Sequence, residues 1–521
     1  MTDILRTEAD TVRLLRMIIK DGHRLSVARY DCNQFGQARG NIAENTNHDA
    51  DFTWEGLPRE TVVLLADVLR AAAASGQAAG RGGLSAASIE RIGEVLGDHL
   101  YQLLFQDEVV HRLLRDGLDN WERGNLAFLR IELEFAGDAA NELASLPWEY
   151  VRLPPADGGS FLVHLSQLVL NRRLHLNGAP ELRRLNTEGP LRVLLVAASP
   201  PLPEKDGEEP LPAVSAVEVY RTLTQLKAQL GNRLEIEPLL DDPSRPSPGQ
   251  LDPNFTAVAT RKALSERFEQ GNLPHVVHFL GHGRRNPTDR RGQLALTGQD
   301  GRPHWINEDT FATLVCDNRE LRLAILQACE SALPSRYVAG ASGVASHIAA
   351  RRIPAVVAMQ FSIEAASANN FAAGFYRALL GKNPVPVDVA VRMGRREMLA
   401  AQADDQQSAA SVPVVYLLDY NRLMAEVVTS GVVAESATQQ TGMRIDARGT
   451  HAPCPRCTTP VAHDDLRCGE CSLLFECPEC HGRWNPMAKR CTKCPDKVTY
   501  LNQPPWDPQQ DAVPDTGFVR A

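Results

Sequence analysis

Uninterrupted apolar runs that alternate with amphipathic segments constrain this fold more than any other feature of the sequence. From residue 190 onward the runs include PLRVLLVAASP, HVVHFLGHG, LRLAILQA and PAVVAMQF, and segments with helical periodicity separate them. A strand that is buried on both faces needs no polar side, so this pattern predicts an α/β fold with a mostly parallel sheet covered by helices. Reactive groups of such sheets gather at the carboxyl ends of the strands.

The residues before 190 predict a further α/β portion. The stretch VRLLRMIIKDGHRLSVARY, residues 12–30, predicts a hairpin around an Asp-Gly turn. Residues 58–74 and 86–105 have helical periodicity, and alternation at 125–135 predicts a strand.

Composition limits the classes of partner. The 521 residues carry a formal net charge of −9, which gives no electrostatic reason to expect duplex nucleic acid. No apolar run reaches membrane-spanning length, and the first residues, MTDILRTEAD, lack the apolar core of a signal peptide. We therefore expect a cytoplasmic protein that does not contact a membrane.

A cysteine and a histidine lie at the carboxyl ends of two predicted strands. Cys329 ends the apolar run LAILQAC, and His282 lies between two glycines and precedes Cys329 by 47 residues. A cysteine is a nucleophile only as a thiolate and needs a base or a cation nearby. Caspases carry Gln-Ala-Cys with the catalytic histidine about 50 residues upstream. This chain has the same tripeptide and departs from the caspase motif at Glu330 and Ser331.

With these residues, the chain resembles CHAT-domain proteins, from the bacterial branch of the caspase and separase clan. The matching stretches are VVHFLGHG, LAILQACESA, GVASHIAARRIPAVVAMQFSI, FYRALLGK and the upstream LPWEYV, and the resemblance covers roughly residues 10–425. It implies a caspase-like sheet sandwiched by helices. The predicted parts are an N-terminal α/β portion of the CHAT region (1–189), a caspase-like peptidase domain (190–429), a linker (430–450), a double zinc ribbon (451–497) and a flexible tail (498–521).

The resemblance also implies roles for individual residues. His282 would be the general base and Cys329 the nucleophile that attacks a peptide carbonyl. The backbone N–H groups of Gly283 and Cys329 would form the oxyanion hole. Gln327 matches a position that lines the S1 pocket of caspases. The clan needs no third catalytic acid and no cofactor for catalysis, so none is assigned.

Structural interpretations stand beside these roles. Cys329 alone could be a buried cysteine at a strand end, because free cysteines are among the most buried residues. His278 precedes the strand end and fits a packed strand histidine better than the base. Cys316 and Cys32 are expected to be core and incidental residues.

The sequence specifies substrate preference poorly, and two acidic residues are the candidates for a contact with the P1 side chain. Glu330 follows the nucleophile, and Glu364 follows the strand ending in MQFSI. Either could favour Arg or Lys at P1, as in separase. Both could equally be carboxylates at helix N-termini, and the polar Gln327 would also permit an uncharged P1 residue.

Eight of the eleven cysteines form an internal duplication near the C-terminus. Each half has the spacing C-x2-C-x10-C-x2-C, and five residues separate the halves. Four thiolates bind zinc tetrahedrally, and two C-x2-C pairs make a zinc ribbon, so the pattern predicts two structural Zn²⁺ ions. His463 and His481 are surplus to these two sets. The predicted ligand sets are Cys454, Cys457, Cys468 and Cys471, and Cys477, Cys480, Cys491 and Cys494.

We therefore weigh three hypotheses. The first is a cysteine endopeptidase that cleaves a partner protein, in a bacterial defence or regulated-death pathway by analogy, and is held inactive until triggered. The ribbons would recruit an activating protein, and the Arg-rich loop 284–292 is a candidate switch. The second is a catalytically silent CHAT scaffold that interacts or senses through its ribbons. The third is a redox sensor that uses Cys329. Basic and acidic residues nearly balance in the ribbons, so a protein partner, a nucleic acid or a passive cap all remain open.

Overall fold

The structure is a computed structural model, and it divides the chain into two units, Met1–Ala434 and Glu435–Ala521. The residues that it describes are 11–20, 23–32, 46–54, 59–76, 84–137, 140–174, 189–241, 259–269, 273–286, 288–289, 291–316, 318, 320–328, 343–361, 363–381, 385–402, 404–418, 451–453, 460–462, 484–485 and 490–491.

Strands and helices of the first unit follow the predicted alternation. The strands are β1 (Val12–Lys20), β2 (Arg24–Cys32), β3 (Thr46–Asp51), β4 (Phe128–Ala136), β5 (Leu168–Leu174), β6 (Leu191–Ala197), β7 (Leu234–Leu240), β8 (Val276–Leu280), β9 (Gly283–Arg285), β10 (Gly292–Thr297), β11 (Pro303–Asn307), β12 (Leu323–Gln327), β13 (Ala355–Met359) and β14 (Pro413–Leu417). The α-helices are α1 (Arg59–Gly76), α2 (Ala86–Phe105), α3 (Glu108–Glu122), α4 (Ala140–Ala144), α5 (Val217–Leu230), α6 (Arg261–Glu269), α7 (Glu308–Cys316), α8 (Val344–Ala350), α9 (Ala365–Leu380) and α10 (Val387–Ala401). Short 3-10 helices lie at Trp148–Tyr150, Pro155–Asp157, Leu162–His164, Gly231–Arg233 and Asp404–Ser411.

One large sheet contains strands from both sides of residue 190. Its order is β3-β2-β1-β4-β5-β14-β13-β12-β8-β6-β7. Strands β1, β4, β5 and β14 are parallel neighbours, and so are β13, β12, β8, β6 and β7. The antiparallel pair β13–β14 joins these two parallel groups, and the β1–β2 hairpin and β3 extend one edge. The expectation of a mostly parallel sheet is confirmed.

Helices cover both faces of the sheet, as the continuous apolar runs require. Along β6, Val193 and Leu195 belong to one core cluster, whereas Leu194 and Val196 belong to the other. Successive side chains of a strand point to opposite faces, so the same strand contributes to both cores. The first core contains buried residues of α5, α9 and α10, and the second contains buried residues of α6, α7 and α8.

Two helices of the first core approach each other closely because glycines lie at their contact. A Cβ on Gly394 of α10 would lie 2.8 Å from the carbonyl oxygen of Phe371 of α9. A Cβ on Gly374 of α9 would lie 2.9 Å from the carbonyl oxygen of Met393. Only a residue without a side chain allows the two backbones to approach this far.

The glutamate of the LPWEYV stretch, Glu149, forms a buried ion pair with Arg172 of β5. Glu149 and Arg172 are both almost fully buried, and Nε of Arg172 donates to Oε1 of Glu149 at 2.9 Å. The guanidinium also donates to the carbonyl oxygens of Ala144 and Leu146. A buried charge needs both a partner and hydrogen bonds, and these contacts supply both. The motif therefore fastens β5 to the segment before it.

The described residues of the second unit form two short antiparallel ladders. β15 (His451–Pro453) pairs with β16 (Pro460–Ala462), and β17 (Trp484–Asn485) pairs with β18 (Arg490–Cys491). The first ladder flanks the Cys454 and Cys457 pair in the sequence. Seven of the eight predicted zinc ligands lie outside the described residues, and for Cys491 only the backbone is described.

Candidate active site

A pocket lies at the carboxyl ends of β6, β8, β12 and β13 in the large sheet. Its volume is about 310 Å³. The strand order reverses between β6 and β8, and open α/β sheets bind ligands outside the carboxyl ends of strands at such a switch point. Its lining residues are Pro212, Ala213, Val214, Ser215, Leu280, Gly281, His282, Gln327, Ala328, Ile363, Glu364, Ala365, Ala368 and Asn369.

His282 enters this pocket directly after β8. Gly281 makes the turn possible, because a Cβ there would lie 2.6 Å from the ring of Phe279. The N–H of Gly281 donates to the carbonyl oxygen of Gln327 at 3.2 Å. This bond holds the ends of β8 and β12 side by side, so the structure places His282 beside the strand that leads to Cys329.

The imidazole of His282 has a backbone partner that fixes its tautomer. Nε2 of His282 lies 2.7 Å from the carbonyl oxygen of Pro212. A carbonyl oxygen can only accept, so Nε2 carries the hydrogen, and Nδ1 of the neutral ring is left with a lone pair. Burial lowers the pKa of His282, and the bond to Pro212 opposes that effect in part. A neutral ring with an acceptor nitrogen is what a general base requires.

The N–H of Gly283, a predicted oxyanion donor, takes no part in the ladder with β10. The N–H of Ala295 donates to the carbonyl oxygen of His282 at 2.9 Å, so these two residues form a hydrogen-bonded pair of the antiparallel ladder. Gly283 and Leu294 are opposite each other and form the next, non-hydrogen-bonded pair. The N–H of Gly283 therefore points away from β10.

Gln327 lines the pocket, but each of its side-chain polar atoms already has a protein partner. Its Oε1 accepts from Nε2 of His278 at 3.0 Å, and its Nε2 donates to the carbonyl oxygen of Ala368 at 2.9 Å. Nδ1 of His278 then accepts from the hydroxyl of Tyr376 at 3.0 Å. His278 and Tyr376 are fully buried, and burial lowers the pKa of His278 to about 4. His278 is thus a packed strand histidine, and the substrate contact of Gln327 stays a prediction.

Glu364 is the only carboxylate on the pocket wall among the described residues. It precedes the first residue of α9, its side chain makes no capping bond, and it is exposed. The part of the pocket beside it is apolar and includes Ile363 and Ala368. Both interpretations made from the sequence, a P1 contact and a carboxylate at a helix N-terminus, agree with this position.

A buried carboxylate ties together the segments that follow His282 and Cys329. Oε2 of Glu308 accepts from the N–H of Gly292 at 3.0 Å and from the N–H of Gly343 at 2.7 Å. Gly292 begins β10 after the Arg-rich loop, and Gly343 is the first described residue after the Cys329 segment. Gly343 has a φ of 121°, which favours glycine.

Several other predicted residues lie away from the pocket or outside the described part of the chain. Cys329 and Glu330 directly follow Ala328, the last described residue of that segment, which is buried at the pocket wall. Cys316 is buried in the core, as expected. Cys32, which was expected to be incidental, is also a buried core residue, and burial raises its pKa to about 11. Among the described ranges, no group of three or more His, Cys, Asp and Glu side chains could hold a metal ion, and no helix has the length and hydropathy to cross a bilayer.

Sequence reasoning missed Pro212 and the segment that carries it. Residues 199–216, which we call the strap, run from β6 to α5 and contain no strand or helix. From the sequence we expect a helix over 213–230, but the helix begins only at Val217, so Ala213 and Val214 belong to the strap. A backbone carbonyl can belong to any residue, so no sequence signal identifies the partner of His282.

Comparison with solved structures gives likenesses at low identity. The Arg-specific cysteine proteinase gingipain R is 12% identical, with a TM-score of 0.36, over 70% of this chain and 74% of that one. Saccharomyces cerevisiae separase in complex with securin is 9% identical, with a TM-score of 0.40, over 80% of this chain and 30% of that one. A complex of the Porphyromonas gingivalis gingipain pro- and mature domains is 12% identical, with a TM-score of 0.35. No curated protein matches the chain.

The family comparison covers the site described above. The model of the CHAT domain matches residues 94–440, which is more than half of the chain. The matched range includes the pocket, His282, the strap and the sequence position of Cys329. The chain therefore belongs to the CHAT-domain family.

Proposed function

We propose that this protein is a cysteine endopeptidase in which His282 is the general base and Cys329 the nucleophile. The observation that carries the proposal is the environment of His282, a neutral imidazole whose Nε2 is bonded to Pro212, which leaves the lone pair on Nδ1. Ala328, which directly precedes Cys329, lies on the wall of the same pocket. Membership of the CHAT family agrees with this assignment.

In the proposed reaction His282 accepts and donates a proton in both the acylation and the deacylation step. Nδ1 of His282 takes the proton of the Cys329 thiol, and the thiolate sulfur forms a bond to the peptide carbonyl carbon. The N–H groups of Gly283 and Cys329 stabilise the oxyanion, and His282 then protonates the leaving amine as the C–N bond breaks. Water then gives a proton to Nδ1 of His282 as its oxygen bonds to the thioester carbon, and the C–S bond breaks as His282 passes that proton to the Cys329 sulfur, which releases the carboxylic acid product.

We further propose a basic P1 residue. An Arg or Lys side chain could lay its aliphatic part against Ile363 and Ala368 while its cation meets the exposed carboxylate of Glu364. Glu330 is the second candidate, since it follows the nucleophile in the sequence. Glu364→Gln is expected to lower kcat/KM for Arg and Lys at P1 about tenfold and to leave uncharged P1 residues unaffected. Glu218→Gln, at the start of α5 and outside the pocket, is the matched control.

Covalent labelling tests the proposal directly. The full chain is incubated with peptide acyl-oxymethylketones that differ at P1, and the modified residue is located by mass spectrometry. We expect labelling at Cys329 that Cys329→Ala abolishes and His282→Ala reduces at least about a hundredfold. Cys32→Ala removes a buried thiol instead and should leave labelling intact. No labelling across the panel, with zinc and candidate activators present, would favour the silent scaffold.

For the C-terminal unit we propose two structural zinc ions, with no part in catalysis. The donor chemistry supports this, because each predicted set supplies four thiolates in two C-x2-C pairs. A short ladder flanking the Cys454 and Cys457 pair agrees with a ribbon. Metal analysis should give two zinc ions per chain, and Cys454→Ser or Cys477→Ser should each remove one. An activating protein partner of the ribbons, the trigger and the defence or death pathway stay predictions.

A further inference from the structure

The strap is held to the rest of the molecule near His282 by an ion pair and a stacked ring. The carboxylate of Glu204 accepts from Nη1 of Arg284 at 2.7 Å and from Nε1 of Trp305 at 3.0 Å. The guanidinium of Arg284 lies 3.9 Å from the centre of the Trp305 ring. Arg284 is two residues beyond His282, so the strap and the strand after His282 are fastened together.

A second anchor lies at the start of the strap and is buried. The hydroxyl of Ser199, whose residue is only 6% exposed, accepts from the N–H of Val214 at 3.0 Å. The N–H of Ser199 donates to Oδ2 of Asp241 at 2.8 Å. Asp241 also accepts from the N–H of Ala259 at 2.9 Å and from the hydroxyl of Thr297. The backbone of Ser199 is thus fixed by Asp241, and its hydroxyl holds the far end of the strap at Val214.

The position of Val214 makes this anchor relevant to His282. Only Ala213 separates Val214 from Pro212, whose carbonyl oxygen receives the hydrogen of Nε2. The planar peptide group that contains the N–H of Val214 also contains the carbonyl of Ala213. Only the φ and ψ angles of Ala213 therefore separate this held group from the Pro212 carbonyl, and holding it narrows the positions that the Pro212 carbonyl can take. Pro212 itself is exposed, and packing alone does not hold it in place.

We propose that Ser199 is a positioning residue that holds the Pro212 carbonyl against His282 through the N–H of Val214. It thereby keeps the imidazole in the tautomer with hydrogen on Nε2 and a lone pair on Nδ1. The inference rests on the proposed function for its catalytic meaning, but its structural content does not depend on peptidase activity. Ser199 does not touch the substrate.

The test is the tautomer of His282 in the full chain labelled with 15N-histidine. Two-bond 1H–15N correlations separate the two neutral tautomers, and His282→Gln identifies the signals of His282. We expect the wild-type protein at pH 8 to show the Nε2–H form. Ser199→Ala should move both nitrogen shifts toward their average, and Ser199→Thr, which keeps the hydroxyl, should restore the wild-type pattern. Thr224→Ala removes a hydroxyl that bonds only within α5 and should change nothing.

Kinetics give a second measure where peptidase activity is found. Loss of a fixed tautomer should lower kcat about tenfold and leave KM within about twofold, because binding does not use the strap hydroxyl. A wild-type spectrum with hydrogen on Nδ1, or an unchanged spectrum in Ser199→Ala, overturns the proposal even if activity falls. A shifted spectrum without peptidase activity in any variant supports the positioning role and contradicts the proposed function instead.

Discussion

The sharpest stability prediction concerns the hydroxyl of Tyr376 beneath the pocket. Nε2 of His278 donates its hydrogen to Oε1 of Gln327, so Nδ1 of the neutral ring can only accept. The hydroxyl of Tyr376 is the donor to Nδ1, at 3.0 Å. Both rings are fully buried. Tyr376→Phe keeps the aromatic ring and removes only the donor, so no sizeable cavity forms. It leaves the Nδ1 atom buried and without a hydrogen bond.

An unsatisfied buried acceptor costs about 1–3 kcal/mol. We therefore expect Tyr376→Phe to lower the free energy of unfolding by about 2 kcal/mol, which raises the unfolding equilibrium constant roughly 30-fold. The assay is urea unfolding of the full chain at pH 8, followed by tryptophan fluorescence and by circular dichroism. At this pH His278 is neutral in both the folded and the unfolded chain, so titration does not enter the comparison.

The chain offers a matched control in Tyr101. Its hydroxyl is buried and has no hydrogen-bond partner among the residues that the structure describes. Burial raises the pKa of Tyr101 to about 12. Tyr101→Phe removes an unsatisfied polar group, so it should leave the free energy of unfolding unchanged or raise it slightly. If Tyr376→Phe costs no more than Tyr101→Phe, the hydrogen-bond chain does not stabilise the fold and the reasoning fails.

Other predictions use the same unfolding assay. Glu149→Gln should cost about 3–5 kcal/mol, because it leaves the charge of Arg172 buried without its partner; a cost below 1 kcal/mol would contradict this. Gly394→Ala should destabilise by about 1–3 kcal/mol although alanine favours helices, because its Cβ would collide with the backbone of Phe371; a gain in stability would refute the close contact. Since the pKa of His278 is lowered to about 4, its neutral form stabilises the fold fully above about pH 6.5. That contribution is lost as the pH falls toward 4, with about 2 kcal/mol gone by pH 5, and unfolding of His278→Gln should depend less steeply on pH; an equal dependence would contradict the assignment.

The core of the fold could be predicted because its strands bury both faces. Four central strands are recognisable because nearly all of their residues are apolar, and small or polar residues follow each of them. These strands are LRVLLVA, VVHFL, LAILQ and AVVAM. β3 could not be found in this way, since TNHDAD has no apolar alternation and pairs with β2 through its backbone. β9 could not be found either, because it is three residues long and contains two arginines. It is a strand only because its backbone pairs with β10 in a hairpin.

In the pocket too, the sequence indicates which side chains are present but not which groups they contact. The position of His282 at a strand end could be predicted from the apolar run and the two glycines, and the structure places it on the pocket wall directly after β8. The position of Gln327 at the pocket could be predicted too. The sequence did not show that its amide group is hydrogen-bonded to the ring of His278 and to the carbonyl oxygen of Ala368. That pairing depends on the distance between β8, β12 and α9, which only the packed sheet determines.

The partner of His282 has a chemical consequence of its own. A carboxylate beside an imidazole favours the charged ring and raises its pKa, whereas a carbonyl orients the ring with much less charge. With Pro212 as the partner, burial outweighs the hydrogen bond and the pKa of His282 falls. The ring at neutral pH is therefore uncharged, and its Nδ1 keeps a lone pair, as the proposed mechanism requires of a general base. Orientation of the His282 ring then depends on where the backbone of the strap is held, which is why the proposed mechanism gives a role to a buried serine hydroxyl at the start of the strap.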